Sequence, residues 1–324
     1  MVPTESLEKL DPREVHFRVS GPIERLKLFL RHLAPVRPTG RTRAVLFVHG
    51  MSFPSALSIA HRFDGRSCRD ELCDTGFDVW GLDFYGFGYS DRYAEMSQPA
   101  EQNPPLGQAA ENSQQIECAA RFICAQSAAP RISLIAHSGG TIGTAIFAIR
   151  NPELADRLVF FAPIARREPT NNPVPRFPAW RLISLEDQWE RFTEEVPEGQ
   201  PPVLSEEHFR DWGERYLKTD RDSSVRSPAS VKTPTGIIHD ITAAWQGKLG
   251  YDPGHVRAPL AIVRDEWDSM CTDADARWLF DALSGSPTKR DVKISRATHL
   301  MHLEKSRYAL YRETQTFLEG ETTP

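Results

Sequence analysis

The stretch ISLIAHSGGT, residues 132–141, decides the fold of this chain. It begins with a largely apolar run that has the length of a buried strand, and a short apolar helix is predicted over residues 141–150. A serine between a strand and a helix, with small neighbours, is typical of a sharp turn that lifts a nucleophilic hydroxyl above a sheet. Gly140 supplies one small neighbour of Ser138, whereas Ala136 stands where the usual G-x-S-x-G pattern has glycine. The local pattern alone therefore also fits an ordinary serine that caps a helix.

Other buried-strand patterns lie on both sides of this stretch and alternate with helical segments. An antiparallel edge is predicted from residues 15–20 and 26–33, where apolar and polar residues alternate. Alternating strands and helices predict a mostly parallel sheet with helices on both faces, so the expected fold class is α/β. The remaining strands are predicted at residues 44–48, 77–82, 158–162, 260–263 and 292–294, and helices at 108–126, 273–283 and 304–318.

Residues 165–250 interrupt this alternation, because they contain no clear buried strand. A loop of this length without its own structure is uncommon in a compact domain. With helices predicted at 188–193 and 206–218, a mainly helical cap is expected to be inserted into a core made of residues 1–164 and 251–324. The segment contains several tryptophans that either line an apolar cavity or form the core of the cap: Trp180, Trp189, Trp212 and Trp245.

Composition excludes several classes of protein. The 324-residue chain has a formal net charge of −5 and no Lys/Arg-rich run, so no nucleic-acid partner is expected. No apolar stretch approaches the roughly 18–20 residues of a membrane span, and the first residues lack the apolar core of a signal peptide. The five cysteines match neither a disulfide framework nor a zinc site, and no nucleotide-binding motif occurs. We expect a cytoplasmic protein without a metal or an organic cofactor.

From about residue 42 to its end, the chain resembles the α/β-hydrolase superfamily. His49-Gly50-Met51 follows the first fully buried strand, and DFYGFGYS at residues 83–90 resembles the D-x-x-G-x-G-x-S loop of that family. Asp268 follows a late strand, where the family has its acid, and His299 follows the last strand. The order Ser, Asp, His along the chain is that of the family, and it favours a catalytic Ser138 over a capping serine.

The resemblance implies a serine hydrolase that needs no cofactor. Ser138 would be the nucleophile, His299 the general base and Asp268 the acid that orients the imidazole. The backbone N–H groups of Met51 and Gly139 would form the oxyanion hole. Epoxide hydrolases and haloalkane dehalogenases are excluded, since they need an aspartate at the position of Ser138.

The acid has competitors in the sequence. Asp268 is in register with the family's G-x-x-D turn, although the turn here reads DEWD, residues 265–268, with aspartate in place of glycine. Glu266 is the main alternative, and Asp265 and Asp273 also lie near this position.

The base has one competitor, His302. His299 is closer to the end of the strand, and its spacing to Glu304, which is expected to open the final helix, matches the family.

The bond that is cleaved remains open at this stage. A small-molecule acyl substrate is expected, with an apolar or aromatic pocket as one interpretation, and a carboxylic ester is the leading choice. A thioester, a lactone, an amide or a C–C bond would use the same three residues. A ligand receptor that has kept the pocket without turnover is the alternative from a different class. The sequence does not indicate the oligomeric state.

Overall fold

An eight-stranded sheet forms the centre of the molecule in a computed structural model, which describes residues 7–37, 42–170 and 175–320. Its strand order is β1-β2-β4-β3-β5-β6-β9-β10, while β7 and β8 form a separate pair. In chain order the strands are β1 (Val15–Ser20), β2 (Lys27–Leu33), β3 (Arg43–Val48), β4 (Phe77–Asp83), β5 (Ile132–His137), β6 (Ala155–Phe161), β7 (Trp180–Ser184), β8 (Ser230–Pro234), β9 (Leu260–Asp265) and β10 (Lys289–Ile294).

The sheet is parallel from β4 to β10, and β2 joins it antiparallel with β1 at the outer edge. The predicted α/β class with a mostly parallel sheet is therefore confirmed. The helices are α1 (Cys68–Asp74), α2 (Ala109–Ser127), α3 (Gly140–Arg150), α4 (Leu185–Thr193), α5 (Glu206–Lys218), α6 (Gly236–Trp245), α7 (Asp273–Ala282) and α8 (Arg307–Glu319).

Alternate side chains of the central strands enter two different apolar cores. On β3, Leu46 and Val48 pack on the side of α2 and α3, whereas Val45 and Phe47 face the side of α1 and α8. Both sets are buried, so the strand has to be apolar at every position, which is the pattern seen in the sequence. Full burial of one such side chain contributes about 1.5–3 kcal/mol.

Between β6 and β9 the chain forms β7, α4, α5, β8 and α6, all of which lie within the predicted cap. Ser205 caps α5 by accepting the N–H of His208, and the bounds of α5 agree with the prediction. The antiparallel pair of β7 and β8 was not expected, since no strand was predicted in this region. The limits of the cap, residues 165 and 250, stay a prediction.

Trp212 lies in an apolar cluster that joins the predicted cap to side chains outside it, among them Phe53, Leu57 and Leu303. Its indole is fully buried, stacks on Tyr216 with ring centroids 5.1 Å apart, and donates its N–H to the carbonyl of Leu57. Phe192 packs edge-to-face against the same ring. Trp212 thus packs between the predicted cap and the rest of the chain, and Trp180 donates a hydrogen bond to the carbonyl of Gln98.

Candidate active site

Ser138 occupies a strained turn between β5 and α3. Its φ of +53° lies in the left-handed region, which costs a non-glycine residue about 1–2 kcal/mol. Two hydrogen bonds hold the turn: the N–H of Ser138 donates to the carbonyl of Phe161 at 3.0 Å, and the Thr141 hydroxyl donates to the carbonyl of Ser138 at 2.6 Å. The surrounding structure therefore fixes where the Ser138 hydroxyl points.

Glycines allow the loop after β3 to approach this turn closely. A Cβ atom on Gly140 would lie 2.4 Å from the carbonyl oxygen of His49, and one on Gly50 would lie 3.0 Å from Cβ of Ser138. Ala136 is fully buried in the apolar core at the position where the usual pattern has glycine. The close approach thus depends on Gly140 and Gly50, and it brings the residue before Met51 against the serine.

The structure brings Ser138, His299 and Asp268 together. His299 Nε2 lies 2.7 Å from Ser138 Oγ, and His299 Nδ1 lies 2.9 Å from Asp268 Oδ2. The three residues are only 4%, 3% and 5% exposed, respectively. With Nδ1–H donating to the carboxylate, Nε2 is free to accept the proton of the serine hydroxyl.

Asp268 is held as a carboxylate. Burial alone would raise its pKa, but His299 and two backbone amides outweigh that effect and lower the pKa below its ordinary value. The amides are those of Met270 and Cys271, which donate to Oδ1 at 2.7 and 2.9 Å. An ionised, fixed carboxylate can hold one tautomer of the imidazole and stabilise the imidazolium.

The competing acids make other contacts. Glu266 accepts the backbone N–H of Arg296 at 2.8 Å, and Asp273 pairs with Lys293 on the surface. Asp265 is buried and has no hydrogen-bond partner among the described residues. Burial raises its pKa well above the ordinary value, which favours the protonated form of its carboxyl. Asp268 is the carboxylate that faces His299.

His302 lies beside the site but not in line with the serine. It belongs to a short 3-10 turn, Met301–Leu303, where it is buried and stacks on Phe53. Neither of its ring nitrogens has a partner among the described residues, and burial lowers its pKa to about 3. His137 contacts the loop that carries His299: its Nε2 lies 3.0 Å from the carbonyl oxygen of His299.

Glu304 does not open the final helix, so that prediction is wrong. The residue has an extended backbone after the 3-10 turn, and α8 begins at Arg307. Its carboxyl group turns back to Thr298, accepting the Thr298 N–H at 3.1 Å and the Thr298 hydroxyl. Burial raises its pKa to about 8. The physical reason for the difference is that Glu304 fixes the loop carrying His299 instead of starting a helix.

Glu195 is a residue of the site that sequence reasoning did not find. It follows α4 in the cap, and its side chain is 4% exposed. One carboxylate oxygen accepts the N–H and the hydroxyl of Ser269, at 2.9 and 2.5 Å, and the other accepts the N–H of His299 at 2.9 Å. The sequence shows only an acidic pair with Glu194, and nothing in it separates the two.

The cap also covers the turn between β5 and α3 that carries Ser138. A Cβ atom on Gly139 would lie 2.3 Å from Cγ2 of Ile237, on α6. The β7 strand reaches the same region through Arg181, whose Nη2 lies 3.4 Å from the sulfur of Met51. The two residues predicted to form the oxyanion hole, Met51 and Gly139, thus lie beneath β7 and α6.

No grouping of three or more His, Cys, Asp or Glu side chains suited to a metal ion occurs in the described part of the chain. Across those same residues, the helices are too short or too polar to cross a lipid bilayer.

Comparisons with known proteins agree with this architecture. Residues 40–306 match the family described as serine aminopeptidase, S33. No sequence among the curated proteins matches the chain.

Several solved structures have the same fold. An esterase from Thermogutta terrifontis with malate bound has a TM-score of 0.58 and 18% identity, with 94% of this chain and 98% of that one covered. A serine hydrolase from Cycloclasticus zankles has a TM-score of 0.61 and 15% identity, covering 96% and 100%. The thioesterase domain from the curacin biosynthetic pathway has a TM-score of 0.61 and 13% identity, covering 94% and 99%.

Proposed function

The chain belongs to the serine aminopeptidase S33 family of α/β-hydrolases, and we propose that it cleaves carboxylic esters through an acyl-enzyme on Ser138. The observation that supports this most is the 2.7 Å distance between His299 Nε2 and Ser138 Oγ. That distance is within the range in which a general base can take a proton from a nucleophile.

The proposed reaction has two halves. Ser138 Oγ attacks the carbonyl carbon of the ester while its proton passes to His299 Nε2, and Asp268 stabilises the imidazolium. The imidazolium then gives this proton to the leaving alcohol as the C–O bond breaks. In the second half, His299 takes a proton from water, which attacks the acyl-enzyme, and Ser138 leaves with the proton restored.

The backbone N–H groups of Gly139 and Met51 are the proposed donors to the oxyanion. Gly139 directly follows the nucleophile, and Met51 follows Gly50, which packs against Ser138. Loss of one such donor typically raises the barrier by about 3–4 kcal/mol. The left-handed conformation of Ser138 supports this arrangement, because such a sharp turn is typical of a nucleophile between a strand and a helix.

Ester cleavage is preferred because it is the most general reaction of this set of groups. An esterase and a thioesterase are among the proteins of similar fold, and both names describe only those proteins. Thioesters, lactones, amides and C–C bonds remain alternative substrates of the same three residues. Binding without turnover is the alternative from a different class.

A series of p-nitrophenyl esters tests the proposal. We expect the wild-type protein to hydrolyse at least part of the series and to be labelled by a fluorophosphonate probe. Ser138→Ala should lose both activities, with kcat reduced by about 10⁶-fold. Ser133→Ala is the matched control, because Ser133 is a buried serine near the start of the strand that leads to Ser138.

Full labelling or unchanged hydrolysis in Ser138→Ala would contradict the proposed nucleophile. If the wild-type protein is not labelled and hydrolyses no ester, thioester or lactone, the proposed enzyme activity is wrong and the binding alternative is favoured.

A further inference from the structure

Arg181 brings a positive charge close to Met51, one of the two residues proposed to form the oxyanion hole. It lies on β7 of the cap, and its Nη2 is 3.4 Å from the sulfur of Met51. Met51 follows Gly50, on which a Cβ atom would lie 3.0 Å from Cβ of Ser138. The guanidinium therefore contacts the side chain of Met51, the residue whose backbone amide is proposed to bind the oxyanion.

This guanidinium lacks the partners that other arginines of the cap have. Within the described ranges, no carboxylate lies within 4.0 Å of it, and its Nε is buried without an acceptor. A thioether sulfur is only a weak acceptor. In contrast, Arg226 donates to Asp220 at 2.8 Å, and Arg191 donates to Glu194 at 2.5 Å.

The acidic residue that influences Arg181 through space is already engaged elsewhere. Asp187 caps α4, where one of its oxygens accepts both the N–H and the hydroxyl of Ser184 at 2.7 Å. Burial accordingly lowers the pKa of the Arg181 guanidinium. Taking a cation out of water without an anionic partner is unfavourable. An anionic group of a bound substrate would supply the partner that the Arg181 guanidinium lacks among the described residues.

A second polar group, the Thr233 hydroxyl, lies on the same face of the antiparallel pair of β7 and β8. Thr233 on β8 is the direct cross-strand neighbour of Arg181, so their side chains lie on one face. Its residue is 1% exposed, and its hydroxyl has no hydrogen-bond partner among the residues that the structure describes. A guanidinium and a hydroxyl side by side offer several N–H and O–H donors to one ligand.

We propose that Arg181 and Thr233 form a subsite for a carboxylate carried by the substrate, so that the protein prefers esters with an anionic end. The planar guanidinium can donate two parallel N–H bonds to a carboxylate, and the Thr233 hydroxyl can add a third donor. Ile237 and Ile241 cover Gly139 on the other side of the nucleophile and leave that side apolar. This substrate class rests on the proposed ester hydrolysis.

Two matched pairs of esters test the subsite, and in each pair a carboxylate replaces a methyl group. Mono-p-nitrophenyl adipate and p-nitrophenyl hexanoate differ at the acyl end, whereas 4-acetoxybenzoate and 4-methylphenyl acetate differ in the leaving group. We expect the wild-type protein to favour the anionic member of at least one pair by about tenfold or more in kcat/KM. The pair that shows the preference also identifies which end of the ester faces Arg181.

Arg181→Met removes the charge and keeps an apolar side chain near Met51. We expect it to abolish the anionic preference, mainly through KM, so that kcat/KM falls about tenfold or more further for the anionic ester than for the neutral one. Arg181→Lys should retain part of the preference, because it keeps the charge and loses the two-pronged geometry. Arg210→Met is the control, since Arg210 is an exposed arginine on α5 of the same cap.

A binding measurement keeps the proposal separate from the proposed function. Calorimetry with adipate and the Ser138→Ala protein should give binding that weakens by about tenfold or more when Arg181→Met is added. Thermal melting of each variant establishes that it folds. Equal losses for neutral and anionic esters, no anionic preference in the wild-type protein, or adipate binding that is insensitive to Arg181 would each overturn the subsite. Absence of any ester hydrolysis together with Arg181-dependent adipate binding would overturn the proposed function and leave the subsite in place.

Discussion

The carboxylate of Glu195, on the cap, accepts the backbone N–H of His299 at 2.9 Å. Through its other oxygen it also holds Ser269, the residue after Asp268. One side chain of the insertion thus fixes both loops that carry the proposed base and acid. Because the three proposed catalytic groups come from different loops, their relative positions depend on such contacts.

Glu195→Ala should lower kcat and the rate of fluorophosphonate labelling by about 10–100-fold, since small misplacements of catalytic groups have effects of this size. KM for a neutral ester should change little. Glu195→Gln retains one acceptor oxygen and should have an intermediate effect. Glu190→Gln, on the exposed side of α4, is the control. Unchanged labelling in Glu195→Ala would show that the loop carrying His299 holds its position without the Glu195 carboxylate.

Replacing each of the two buried aspartates by asparagine tests which of them is the acid. Asp268→Asn should reduce kcat by about 10³–10⁴-fold, because the imidazole loses the carboxylate that selects its tautomer. Asp265→Asn should leave kcat close to wild type, since no hydrogen bond joins the Asp265 carboxyl to His299. Steady-state kinetics of both variants at neutral pH decide the matter, and the reverse result would make Asp265 the acid.

Two glycines of α3 should respond in opposite ways to alanine. At Gly140 a Cβ atom would lie 2.4 Å from the His49 carbonyl oxygen, so Gly140→Ala must displace the loop that carries Met51. We expect kcat to fall by about tenfold or more. At Gly143 the nearest atoms are 3.4 Å away, and Gly143→Ala should be neutral or stabilise the helix by up to about 1 kcal/mol. Chemical denaturation and ester hydrolysis measure the two effects, and equal losses would contradict the distinction.

Glu304 should make the stability of the protein fall with increasing pH. Burial raises its pKa from 4.5 to about 8 in the folded protein, so the folded state binds more protons than the unfolded state between these values. Its favourable contribution is complete below about pH 4.5 and is lost as the pH rises through about 8. Because each pKa unit corresponds to about 1.4 kcal/mol, the change amounts to a few kcal/mol.

Glu304→Gln removes this titration, and thermal melting between pH 5 and about 9 should therefore show a flatter curve than wild type. Glu313→Gln, at a partly exposed position on α8, is the control. A Glu304→Gln curve as steep as that of the wild-type protein would mean that other groups cause the pH dependence.

Much of the fold could be predicted because burial leaves a clear mark on sequence. Strands such as β3 and β5 are covered on both faces and have to be apolar throughout, and α5 begins with a capping serine. By contrast, β7 is a short strand with Arg181 and the exposed Leu182 in it, so neither alternation nor continuous burial marks it. The helix α6 begins with glycine and contains β-branched residues, which are weak helix formers.

The site divides in the same way. Ser138, Asp268 and His299 could be found because each follows a recognisable strand, and the carboxyl ends of parallel strands meet at one edge of the sheet. Glu195 and Arg181 could not be found, because their positions depend on how the cap folds over that edge. In sequence they resemble the other charged residues of a charged segment.

The bond from Glu195 to His299 also limits how the insertion can be exchanged. A chimera that carries the cap of a relative would acquire that relative's pocket walls, yet its His299 amide would lack an acceptor unless the new cap has a carboxylate at this place. Such hybrids should bind the relative's substrates and turn over slowly until the carboxylate is restored. We therefore expect specificity and catalytic assembly to be inherited together, so that recombination between relatives has to preserve both.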